Sequence, residues 1–136
     1  VGATARPGGR PSVPVPPLPP CGPGSCVSTQ SPRTDPLRRI EPLAFDTDAR
    51  RAMGSVLTAL EAIPRLKVLE RDDVAVHAVV RTPWLRLPVD IEVRVDANRG
   101  LVHLRVATRL ALRERSRSAV RAATYLAMID RALREG

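Results

Sequence analysis

Two arginines four residues apart, Arg105 and Arg109, and two carboxylates two apart, Asp90 and Glu92, are the residues of this chain best placed to do chemistry. Side chains alternate along a strand, so each even spacing puts both members of a pair on one face. A guanidinium fork binds carboxylate or phosphate through parallel hydrogen bonds, and neighbouring acids can orient it. Alternatively, Asp90 or Glu92 can accept a proton as a general base, with Arg105 and Arg109 stabilising the developing charge. Glu114 follows in the crossing before the last predicted helix, and Arg121 at the start of that helix, from which it is expected to reach the same end of the sheet. The ordinary alternative is a solvated sheet face, on which each cross-strand ion pair contributes about a kcal/mol or less.

The elements that must position these residues are legible from periodicity. Val89, Ile91, Val93 and Val95 alternate with Asp90, Glu92, Arg94 and Asp96. After the turn Ala97-Asn98-Arg99-Gly100, Val102, Leu104 and Val106 alternate with His103, Arg105 and Arg109. One register satisfies both faces: Asp96 opposite Leu101, Arg94 opposite His103, Glu92 opposite Arg105, and Asp90 opposite Ala107. The inner face then pairs Val95 with Val102 and Val93 with Leu104.

Upstream, Leu37 to Phe45 reads as a first strand. Asp46-Thr47-Asp48 offers N-cap oxygens to a helix whose Ala52, Met53, Val56, Leu57, Leu60 and Ile63 share one face. Pro64 ends it. Leu66–Glu70 and Val74–Arg81 are strands, followed by Leu87–Asp96 and Leu101–Leu110. A final helix begins near Ser118, with Ala119, Ala122, Ala123, Leu126, Ile129 and Leu133 as its apolar stripe. The order strand, helix, four strands, helix predicts a two-layer α+β fold, an antiparallel sheet with two helices on its apolar face. Residues 1–36, rich in proline and glycine, are expected to be a mobile tail, and residues 37–136 the single folded domain.

Several functions have little support. The net charge of +8 rests almost wholly on arginine, since Lys67 is the only lysine. That skew fits a GC-rich coding bias, and three aromatic residues, Phe45, Trp84 and Tyr125, are too few for base stacking. Specific nucleic-acid binding is therefore not expected. His77 and His103 stand alone on separate strands, and no serine or cysteine occupies a nucleophile turn. The sequence carries no cofactor motif and no metal-ligand spacing. Cys21 and Cys26 either close a short disulfide loop in an oxidising compartment or remain free thiols. No run of about 20 apolar residues occurs, so membrane association is expected only through a segment preceding Val1.

These residues resemble an uncharacterised family, domain-of-unknown-function family 1499. The likeness runs from Cys21 to about Leu133. It rests on the cysteine pair followed by Val27-Ser28-Thr29, on Pro42-Leu43-Ala44-Phe45, on Val89-Asp90-Ile91-Glu92, and on Arg105-Val106-Ala107-Thr108-Arg109. The family's downstream Asp, Asn and Arg fall on Glu114, Ser118 and Arg121. Four positions depart from its pattern: Val89 stands for an acid, Val106 for a serine, and Ser25 and Ser118 for asparagines. The resemblance implies candidate positions and an envelope location, and no reaction. A non-catalytic binding or accessory domain, engaging an anionic ligand or a protein partner, is the favoured reading. A small enzyme is the alternative.

Overall fold

The computed structural model describes residues 14–22, 24–108 and 115–135. Arg109 and Glu114 lie outside the described residues, as does the end of the last predicted strand. In chain order the elements are β1 (Cys26–Ser28), a 3-10 turn (Pro36–Arg38), β2 (Leu43–Ala44), α1 (Ala49–Glu61), β3 (Leu66–Arg71), β4 (Ala75–Arg81), β5 (Pro88–Asp96), β6 (Leu101–Thr108) and α2 (Arg115–Glu135). The six strands form one antiparallel sheet in the order β1-β6-β5-β4-β3, with β2 also paired to β6.

The alternation in β5 and β6 produces the expected result. Val89, Ile91, Val93, Val95, Val102, Leu104 and Val106 are all fully buried and form the centre of the core. Both helices lie on this face. Helix α1 contributes Ala52, Met53, Val56 and Leu60, and α2 contributes Ala122, Tyr125 and Ile129. Asp48 caps α1, its carboxylate accepting the Arg51 backbone N–H at 2.8 Å. The β5–β6 register is the one predicted, with Glu92 opposite Arg105, Arg94 opposite His103 and Asp96 opposite Leu101. In the connecting turn, the Asp96 carboxylate accepts the backbone N–H groups of Asn98 and Arg99 at 3.1 and 3.3 Å. Gly100 completes the turn at φ 65°, where an added Cβ would stand 3.0 Å from the Phe45 carbonyl oxygen.

The N-terminal third differs from expectation. Cys26–Ser28 is a strand of the sheet, and Val27 is a core residue at 1% exposure. The first folded element therefore lies inside the stretch expected to be a mobile tail. Three residues are too few to show alternation, and tertiary contacts specify the strand instead. Thr108 N–H donates to the Ser25 carbonyl at 2.9 Å, and the Ser25 and Ser118 hydroxyls share a buried 2.6 Å hydrogen bond that ties β1 to α2. Leu37–Phe45, expected as one strand, is divided into the 3-10 turn and the two-residue β2. Pro36 and Pro42 remove the backbone donors that a continuous strand would need.

A charged sheet face covered by the chain's own proline segment

On the face away from the helices, one row of polar residues crosses four strands. Ser28 on β1 is opposite Arg105 on β6, Arg105 is opposite Glu92 on β5, and Glu92 is opposite His77 on β4. Register places these residues side by side, and their hydrogen bonds divide them into two groups.

The first group is centred on Glu92. Its Oε2 accepts from Arg105 Nη1 at 3.3 Å and its Oε1 from Arg94 Nη2 at 3.4 Å, so each carboxylate oxygen takes one guanidinium. All three side chains are largely withdrawn from water, at 13% exposure for Glu92, 15% for Arg105 and 10% for Arg94. At this depth an ion pair is screened far less than at the surface. Two cations around one anion leave the group with a net positive charge. The second group is His77 and Asp90, joined at 3.2 Å through His77 Nε2.

Residues 14–22 lie over this face. Arg94 Nε donates to the Pro16 carbonyl at 3.2 Å, and Arg105 Nη2 donates to the Pro20 carbonyl at 3.4 Å. Between these contacts Leu18 is buried at 5% exposure, its N–H donating to Gln30 Oε1 at 2.7 Å. Pro16, Pro17, Pro19 and Pro20 carry no backbone N–H, and the proline ring favours φ near the polyproline II value, so these four residues offer carbonyls without competing donors. A disulfide between Cys21 and Cys26, with Cα atoms 5.5 Å apart, joins its end to β1. Arg105 Nε is buried and meets no acceptor among the described residues.

His103, next to the Glu92 group, is part of the structural frame. Its Nδ1 lies 2.9 Å from Thr29 Oγ1, which also accepts the Leu104 N–H at 3.1 Å. Burial pushes its pKa below the ordinary imidazole value; Asp96 opposes that shift, while Arg99 and Arg39 add to it.

Of the six candidate binding residues, the structure brings Glu92 and Arg105 into direct contact and places Asp90 beside them, on His77. Arg121 is at the same end of the sheet but on the helix side, where it lines a cleft with the inward-facing Val80 and Val89. The sheet separates it from Glu92. Arg94, His77 and the proline segment were not among the candidates read from the sequence. Arg94 and His77 had a usable signal, since both alternate outward, but locating His77 required the β4–β5 register, which the irregular stretch 82–87 obscures. No sequence signal indicated that residues 14–20 would lie on the face.

Among the described residues no three His, Cys, Asp or Glu side chains gather as metal ligands. No helix among them is long and apolar enough to cross a membrane.

A two-layer α+β domain, with a polar constellation on the sheet face away from the helices, is thus the class of protein that fold and site define. The chain belongs to the family described as protein of unknown function, DUF1499, whose model matches residues 18–128. No curated protein matches it. The match begins at Leu18, the apolar anchor of the proline segment. Ser25 and Ser118 lie within the matched range and are partners in the buried hydroxyl pair.

Proposed function

We propose that this chain is a non-catalytic binding domain whose outer sheet face engages a protein partner through an extended, proline-containing segment. The observation that carries the reading is the use of Arg94 and Arg105 as donors to the carbonyls of Pro16 and Pro20, on either side of the buried Leu18. A partner's segment would take the place of residues 16–20, using the same arginine donors and the same apolar seat between them. The positive Glu92 group also favours anionic residues flanking the bound segment. The Cys21–Cys26 disulfide supports placing the protein in an oxidising compartment such as the cell envelope.

The enzyme alternative draws support from the His77–Asp90 pair, an imidazole oriented by a carboxylate. Glu92 suits a base poorly, because both its oxygens are already engaged by guanidinium groups. The test is an NMR titration of the intact protein with a proline-containing peptide flanked by glutamates, and separately with inorganic phosphate. Peptide-dependent shifts of the Arg94 and Arg105 side-chain N–H signals, absent in Arg105→Ala, are expected. Shifts from phosphate alone would favour a small-anion site, and no shift from either would remove the binding reading.

A further inference from the structure

On independent observations at a different site, we infer that the loop joining β4 to β5 is a docking tip for an anionic lipid surface. Trp84 and Leu85 stand at 94% and 76% exposure, the two most exposed large apolar side chains among the described residues. The loop that displays them is closely hydrogen-bonded. Thr82 N–H donates to the Leu87 carbonyl at 3.0 Å, Arg86 N–H to the Thr82 carbonyl at 3.1 Å, and Leu87 N–H to Thr82 Oγ1 at 2.9 Å. Arg81 Nη1 donates to the Arg86 carbonyl at 3.2 Å, and Arg65 Nε to the Arg81 carbonyl at 3.0 Å. Arg86 itself sits at φ 52°, a conformation that a non-glycine residue adopts only when its surroundings hold it there. The fold thus fixes an aromatic and an aliphatic side chain outside the core.

The surroundings indicate what such a tip would meet. Arg65, Arg81 and Arg86 are all exposed around it. The cleft that continues from Pro83 toward Tyr125 is lined by Arg65, Arg81 and Arg121 with apolar and hydroxyl side chains, and no carboxylate is among its described lining residues. Two side chains cannot supply the roughly 800 Å² per partner of a stable protein interface. They are sufficient for shallow insertion at a membrane interface, where tryptophan is favoured and nearby arginines meet lipid phosphates. The net charge of +8 adds long-range attraction to such a surface.

Trp84 is the only tryptophan of the chain, so its fluorescence reports on this loop alone. The experiment titrates the full chain with phosphatidylcholine vesicles, with and without phosphatidylglycerol, and follows emission and co-sedimentation. A blue shift and sedimentation that require phosphatidylglycerol are expected. Leu85→Ser should weaken partitioning about tenfold, the loss of one buried leucine side chain. Arg86→Gly, which removes the charge and suits the positive φ, should weaken it about fivefold. Circular dichroism checks that both variants fold. No shift on phosphatidylglycerol vesicles, or binding unaltered in folded Leu85→Ser, would overturn the inference. Equal binding to both vesicle types would overturn the role given to the arginines.

Discussion

Arg105→Ala is the most informative single substitution because the structure sets its cost apart from that of an ordinary surface change. The Arg105 side chain is 15% exposed and that of its principal partner, Glu92, 13%. Removing one member of a fully buried pair costs about 3–5 kcal/mol, chiefly because a charge is left uncompensated. Here Arg94 remains on the other Glu92 oxygen, which lowers the cost. The substitution also frees the Pro20 carbonyl and removes the aliphatic stem that packs over the sheet. A loss of about 2 kcal/mol follows, or roughly 8–16 °C in Tm for a folded core of this size. The internal control is Arg131→Ala: Arg131 pairs with Glu135 at 81% and 67% exposure, and its loss should cost less than about 0.5 kcal/mol. Urea melts of both variants, compared at a common m-value, provide the measurement. If Arg105→Ala costs no more than Arg131→Ala, the Glu92 group is solvated and the reasoning fails.

Two further outcomes follow from the same frame. His103 has its pKa lowered below 6.5 in the folded chain by burial, so the unfolded chain binds its proton first as pH falls. The stability associated with the neutral ring is complete above 6.5 and declines as pH drops below it toward the folded value; His103→Gln should flatten that part of the stability–pH curve measured by denaturant melts. Replacing Cys21 and Cys26 by serine should cost about 2 kcal/mol for so short a loop. It should also speed amide exchange at Leu18, whereas unchanged exchange would show that the proline segment is held without the disulfide.

Much of this architecture was legible in the sequence for a specific reason. In β5 and β6 the polar and apolar faces both required the same register, and a slip by one residue would have buried Asp90, Glu92 and Arg105. Helix α1 was equally readable, because Asp48 marks its start and its apolar residues recur every three or four positions. The errors occur where local pattern is weak and tertiary contact decides. Strand β1 is specified by the disulfide, the Ser25–Ser118 hydroxyl pair and its pairing with β6, none of which leaves a periodic trace. Arg121 was grouped with Arg105 because both are close to the same sheet end in sequence order. Helix α2 packs on the apolar face, which places Arg121 across the sheet. Proline composition suggested a tail without a core, whereas Leu18 alone seats the segment between two arginine–carbonyl bonds.

The central claim is that the charged face is a seat for an extended proline-containing segment. Its most direct test is calorimetric titration of a chain beginning at Cys21, checked for cooperative melting, with a free peptide of the sequence Pro14 to Pro20. Saturable 1:1 binding is predicted, abolished by Arg105→Ala in the chain and by Leu18→Ser in the peptide. Absence of binding to a cooperatively folded chain, or binding indifferent to both substitutions, would contradict it.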